Sequence, residues 1–417
     1  MKSLLFFPSA ILVFVLAPLR ADLLLQPKDF VAICGDSITQ QRQYSVFMEA
    51  YFIMCQPTEG LRAAQFGWDG EVASGFFSRI DNDVLPFKPT VATTCYGMND
   101  GHYIAMQPIT GDFYRKAMTA AVEKLKAGGV RTIIVGSPGC VDGAVFKRTP
   151  ADEYNKTLDA LRGIAQEIAQ KEGVGFADVY TPMMDVMTKS KAAYGNDYPF
   201  IAGGGIHPGN NGHLVMAYAF LKALGCDGAI GTITIDLGAN TAEGTPGQKI
   251  LSCQNGSVEV ESTRYPFCFQ GDPDKPEQTD ACVLKFFPFN DDLNRYLLVV
   301  KGLKGSKAKV TWGSVSKEFS SADLAKGVNL AAEFLVNPFC DQFDKVSAAV
   351  QAQQAQETPL VKVFMNNMPD FREMAPNSTN ELDRVTADGM AQEKNLFDAA
   401  VALVVPIHHT IKIESEP

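Results

Sequence analysis

Residues 30–39 read Phe30-Val31-Ala32-Ile33-Cys34-Gly35-Asp36-Ser37-Ile38-Thr39. A short, unbroken apolar run ended by glycine suits a strand covered on both faces. Asp36, Ser37 and Thr39 are helix-capping residue types. The stretch therefore predicts a buried strand that turns at once into a helix, with Ser37 at the turn. A serine there presents its hydroxyl above the sheet. Its own backbone N–H lies at a helix start, placed to stabilise an oxyanion. An isolated Gly-Asp-Ser would do no more than cap the helix.

Moving outward, the same alternation repeats. Thr90–Tyr96, ending in Gly97, Thr132–Val135 and Val174–Tyr180 are further strand candidates. Between them, Tyr114, Ala117, Met118, Ala121, Val122 and Leu125 mark one helical stripe. Tyr154, Leu158, Leu161, Ile164, Ala165 and Ile168 mark a second. Gly128-Gly129 and Gly173 sit where such helices stop. Strand–helix alternation predicts an α/β fold with a parallel sheet covered on both faces, and functional residues just beyond the strands' carboxyl ends. After Gly225 the texture changes to short strands, at 232–235, 257–260, 296–300 and 308–312, separated by turn-rich loops. Helical patterns follow around 339–356 and 391–404. The boundary falls near residue 226, with a smaller β-rich domain carrying a few helices over 227–417.

Three further motifs gather around Ser37. Gly97-Met98-Asn99-Asp100 follows the second strand, where an asparagine amide can point into the space above Ser37. Gly67-Trp68-Asp69-Gly70-Glu71-Val72 forms a loop in which the bare N–H of Gly70 can approach a ligand closely. Gly203-Gly204-Gly205-Ile206-His207-Pro208 sets a histidine in a polar, glycine-rich loop before the last helix of the first domain. His213 reads as a structural residue of that helix. Taken singly these are turns; in this order they resemble the four blocks of the GDSL (SGNH) hydrolase family.

The resemblance covers roughly residues 28–225 and implies a flavodoxin-like three-layer parallel sheet over 22–226. It implies Ser37 as nucleophile, His207 as general base, and Ser37, Gly70 and Asn99 as oxyanion-hole donors. No metal and no organic cofactor is implied. The family usually carries an aspartate three residues before the histidine, and here that position is Gly204. The imidazole must then be oriented by a loop backbone carbonyl, by Asp197, or not at all, in which case catalysis is lost. The implied reaction is ester hydrolysis through an acyl-enzyme, with carbohydrate deacetylation as the favoured substrate class. Lipid or aryl esters, and a non-catalytic glycan-binding role on a hydrolase frame, are the alternatives. Trp68 and His102 lie near the motif loops as candidate substrate contacts.

Composition sets outer bounds. The 417 residues are 46% hydrophobic and 20% charged, as expected of a globular chain with room for two domains. A net charge of −10 argues against a nucleic-acid partner held by phosphate contacts. Met1–Ala21 reads as a signal peptide, with Lys2, an apolar run from Leu4 to Leu16 and a small residue at its end. A secreted or periplasmic protein with no membrane span in its mature chain is expected, acting on a small-molecule or polysaccharide ester. Nine cysteines without a Cys-x-x-Cys pair argue against a zinc knuckle. A disulfide among Cys253, Cys268 and Cys282 is expected, with Cys34 and Cys95 as buried thiols. His408-His409, adjacent on a strand, must point to opposite faces and cannot share a metal.

Overall fold

A computed structural model describes residues 23–56 and 58–416; the Met1–Ala21 segment lies outside them. In chain order the first half comprises β1 (Phe30–Gly35), α1 (Ser37–Gln40), α2 (Tyr44–Ala50), β2 (Arg62–Gly67), α3 (Ala73–Arg79), β3 (Val91–Cys95) and α4 (Pro108–Ala127). There follow β4 (Thr132–Gly136), α5 (Ala151–Glu172), β5 (Gly175–Ala177), α6 (Tyr180–Tyr194), β6 (Ile201–Gly203), β7 (His207–Pro208) and α7 (Asn210–Ala223). Strands β1 to β5 form one parallel sheet in the order β2-β1-β3-β4-β5. The chain leaves β1 for β2 on one side and returns to β3 on the other, so a crevice opens at the carboxyl ends of β1 and β3. Gly35 is in register with both Gly67 and Cys95, which brings the loops after all three strands to one edge.

The buried strands alternate between two cores, as a period of two requires. From β1, Val31 and Ile33 join a core with α2 and α7. Phe30, Ala32 and Cys34 join the opposite one with α3, α4 and α5. The expected α/β architecture with helices on both faces is therefore present. Sequence periodicity overlooked β2, whose Arg62 and Gln65 interrupt its apolar character. It extended β5 too far, since Tyr180 already begins α6.

The second half begins with β8 (Ala229–Asp236), β9 (Thr241–Gly244), β10 (Gln248–Gln254), β11 (Ser257–Ser262), α8 (Phe289–Leu293), β12 (Arg295–Lys301), β13 (Lys307–Trp312) and β14 (Val315–Ser320). It continues through α9 (Ser321–Lys326), β15 (Val328–Asn329), α10 (Leu330–Glu333), α11 (Cys340–Pro359), α12 (Met368–Met374), α13 (Thr379–Ala402) and β16 (Ile407–Glu416). One sheet is antiparallel, β10-β11-β16-β13-β14, with the last strand of the chain at its centre. The other, β15-β12-β8-β9, is mixed. The β-rich half is thus as expected, although its helices are longer than their apolar patterns: α13 begins at Thr379, not near 391.

These helices reach back to the first half. Helix α11 covers β2, the edge strand of the parallel sheet, which would otherwise expose unpaired backbone groups. Gln65 N–H donates to Glu357 Oε2 at 2.7 Å, and Gln354 Nε2 donates to Glu49 Oε2 at 2.7 Å. All nine cysteines are free. The expected disulfide among Cys253, Cys268 and Cys282 is absent: the Cys282 thiol instead donates to the Lys275 carbonyl at 2.8 Å.

Candidate active site

Ser37 is the first residue of α1, immediately after β1. Asp36 caps that helix by accepting the Ile38 N–H at 2.9 Å, and so fixes the turn on which Ser37 sits. Burial pushes Asp36 up to about 7, against the pull of that N–H. His207 arrives from the opposite side on β7, and its Nε2 lies 2.8 Å from Ser37 Oγ. Its Nδ1 lies 3.3 Å from the Gly203 carbonyl across the β6–β7 ribbon. A loop carbonyl thus faces the ring atom that an aspartate would otherwise face. Nδ1–H pointing at Gly203 leaves Nε2 unprotonated towards the serine, the tautomer a general base needs.

Asn99 approaches from the loop after β3. Its Nδ2 donates to the Glu71 carbonyl at 3.0 Å and lies 3.5 Å from Asp36 Oδ2. Tyr103 donates its hydroxyl to Asn99 Oδ1 at 2.6 Å, which fixes the orientation of the amide. No sequence motif marks this contact; the turn at residues 97–103 brings the two side chains together. Gly70 has φ +69° and is exposed, and a Cβ added there would meet nothing within 4 Å. The space beside its Cα is therefore open.

The loops carrying Gly70 and Asn99 are stitched together. Asp100 accepts the Ala73 N–H at 2.9 Å and the Gly97 N–H at 3.0 Å, joining the start of α3 to the turn after β3. Burial pushes Asp100 up to about 6. Beneath it, Arg79 binds Glu71 at 2.7 Å, Asp83 at 3.0 Å and the Phe66 carbonyl at 2.6 Å. Tyr96 adds its hydroxyl to Glu71 at 2.7 Å. A guanidinium with this many partners makes a rigid floor.

Trp68 and His102 border different hollows. Trp68 lines a cleft of about 550 Å³, and its ring already carries the Arg79 guanidinium at 5.0 Å and the Lys362 ammonium at 4.9 Å. His102 is exposed, with φ +52°, and lines a separate apolar groove of about 430 Å³ with Val72, Phe77 and Phe113. His213 is buried on Tyr44, with Nε2 3.0 Å from Gln41 Oε1, and burial pushes it down to about 3.

A second serine–histidine contact lies in the β-rich half, where Ser262 Oγ is 2.9 Å from His409 Nε2. Trp312 donates its indole N–H to His409 Nδ1 at 3.1 Å. An acceptor at Nδ1 obliges the neutral ring to carry its proton on Nε2, so His409 donates to Ser262 and cannot take a proton from it. Burial pushes His409 down to about 4, which keeps it neutral. That pair is packing. His408 is exposed on the other face of β16 and bonds Glu261 at 2.9 Å. Among the described residues, no cluster of three or more His, Cys, Asp or Glu is arranged to hold a metal ion. Nor is any described helix long and apolar enough to cross a membrane.

Residues 33–215 match the GDSL-like Lipase/Acylhydrolase family. An acetylxylan esterase from Geobacillus stearothermophilus is 24% identical over 176 residues, which is 40% of this chain and 74% of that protein. Among solved structures, a chain described as a gut microbial diltiazem-metabolizing enzyme aligns over 94% of this chain and 98% of its own. The TM-score is 0.72 and the identity 22%, a likeness of fold that runs through both halves.

Proposed function

With residues 33–215 matching the GDSL-like lipase/acylhydrolase family, we propose that this ester hydrolase works through an acyl-enzyme on Ser37 and removes O-acetyl groups from carbohydrate. The observation that carries the reading is the 2.8 Å contact between Ser37 Oγ and His207 Nε2, at the crevice beyond β1 and β3. His207 takes the serine proton as Oγ attacks the ester carbonyl. The negative charge moves to the carbonyl oxygen, where the N–H groups of Ser37 and Gly70 and the Asn99 amide receive it. As the tetrahedral species collapses, His207 returns the proton to the departing alcohol. Water then repeats the sequence on the acyl-serine, releasing the acid and restoring the hydroxyl.

The Gly203 carbonyl, facing Nδ1, stands in for the missing carboxylate. It orients the ring but brings no full negative charge to the imidazolium, so a slower enzyme than one with a complete triad is expected. The acetylxylan esterase likeness and the polar cleft beside Gly70 support a carbohydrate ester as substrate. The Met1–Ala21 pattern supports export of the mature chain, to the outside or the periplasm.

A serine-directed fluorophosphonate provides the test. The native protein should be labelled and Ser37→Ala should not. Folded protein in which neither is labelled would refute the nucleophile and favour a glycan-binding role. Acetylated oligosaccharides run beside p-nitrophenyl acetate then decide the substrate class.

A further inference from the structure

We propose that segment 360–370, which lies outside the family-matched region, completes the substrate site. With the Trp68–Val72 loop it encloses the polar cleft, which receives the hydroxylated alcohol portion of the ester, a neutral sugar residue. This inference rests on the esterase reading above. The cleft, about 550 Å³, is lined by Gly70 together with Asn366, Asn367 and Asp370. Its lining thus includes the glycine whose N–H is assigned to the oxyanion. Asp69 and Asn82 add to a lining rich in amides and carboxylates. Amides donate and accept, and carboxylates accept, so together they match sugar hydroxyls. Asp69 and Asp370 oppose an anionic ligand, while an acyl chain would gain little from such a surface.

Lys362 fastens segment 360–370 to the catalytic loops. Lys362 donates to Gln40 Oε1 at 2.7 Å, and the same oxygen accepts the Asp69 N–H at 2.7 Å. The Lys362 ammonium also lies 4.9 Å from the Trp68 ring. Gln40 is the last residue of the helix that Ser37 begins. Lys362 therefore ties the C-terminal segment to both the serine helix and the Gly70 loop. Trp68 serves as part of this joint, its ring engaged by cations instead of free to stack on a sugar.

The experiment compares wild type, Asn366→Ala/Asp370→Ala and Lys362→Met on partially acetylated xylo-oligosaccharide and on p-nitrophenyl acetate, which has no sugar. The expected result is a fall of about tenfold in the ratio of kcat/KM on sugar to kcat/KM on aryl ester, carried by KM. Asp370→Ala alone, at an exposed position, replaces the double variant if that melts early. An unchanged ratio, with wild type active on both substrates, overturns the inference and leaves the esterase reading standing. Wild type active on the aryl ester alone overturns it too, again sparing the nucleophile. Wild type inactive on both removes the esterase reading itself, and the inference with it.

Discussion

Gly203→Ala places the histidine arm under direct load. Gly203 pairs with His207 across the β6–β7 ribbon. A Cβ at residue 203 would lie 2.7 Å from His207 Cβ and 3.4 Å from its Cγ and Nδ1. Restoring an ordinary 3.4 Å contact requires His207 to retreat by 3.4 − 2.7 = 0.7 Å. A shift of that size takes Nε2 out of its present 2.8 Å alignment with Ser37 Oγ, and the hydrogen bond weakens steeply as its geometry is lost. Misplacing a reacting group by about 1 Å costs on the order of a hundredfold in rate. Gly203 does not occupy the left-handed region, so alanine adds no backbone strain. We expect kcat on p-nitrophenyl acetate to fall about a hundredfold with Tm nearly unchanged. Gly204→Ala supplies the opposite result. Its φ of +64° strains an L residue by about 1 kcal/mol, yet its Cβ would meet nothing within 4 Å. That variant should lose a few degrees of Tm and keep its turnover. A Gly203→Ala enzyme within twofold of wild-type kcat would show that this ribbon does not set the position of His207.

Asn99→Ala should cost about a hundredfold in kcat, and Tyr103→Phe about tenfold, because the phenol only fixes the amide's orientation. Wild-type kcat in Asn99→Ala would exclude Asn99 from the oxyanion site, and in Tyr103→Phe would show that the phenol does not orient it. Stability should fall as pH rises from about 4 to 8. Burial raises Asp36, Asp83 and Asp280 to about 7 and pushes Glu49 upward, so the folded state holds their protons and this stabilisation disappears as pH passes through 7. His213 and His409, pushed down to about 3 and 4, act oppositely, their contribution being present above about 6.5 and lost on acidification. The carboxyls outnumber them. Calorimetry showing Tm climbing steadily from pH 4 to 8 would contradict this balance. A thiol reagent should reach only Cys253 and Cys340 in the native protein, the two that are not fully buried. Rapid native labelling of more than two thiols would contradict the packing around the rest.

The sheet and the Ser37–His207 pair were legible because they rest on local signals. An apolar run ending in Gly-Asp-Ser fixes strand, turn and hydroxyl within eight residues, and the glycines around His207 mark a loop. Strand β2 was not legible, because Arg62 and Gln65 are polar for a reason located about 300 residues further on. Gln65 meets Glu357 and Thr358, and Arg62 meets Glu393. Helix α13 was read short for the same kind of reason, since much of its length is exposed and its apolar stripe begins late. Gln40 and Lys362, 322 residues apart in the chain, carry no motif at all. Cysteine number suggested a disulfide, but proximity decides pairing, and spacing along the chain does not supply it.

The buried polar seam between the halves also explains why the C-terminal helices cannot be treated as a detachable module. Glu49, Glu357 and Glu393 gather around Arg62, with Gln353 and Gln354 from α11 donating to Glu49 at 3.1 Å and 2.7 Å. Burial pushes both Glu49 and Glu357 upward, so the seam holds protonated carboxyls more readily than charged ones. Removing α11 would leave Glu49 without Gln353 and Gln354 and reopen the edge of β2, and uncovering one side of such a network costs several kcal/mol. The same helix runs on, through Pro359, into the segment that carries Lys362. The seam therefore does more than bury an edge: it sets the starting position of the segment that lines the cleft with Gly70, and a change at Glu49 or Glu357 should reach the site through Lys362.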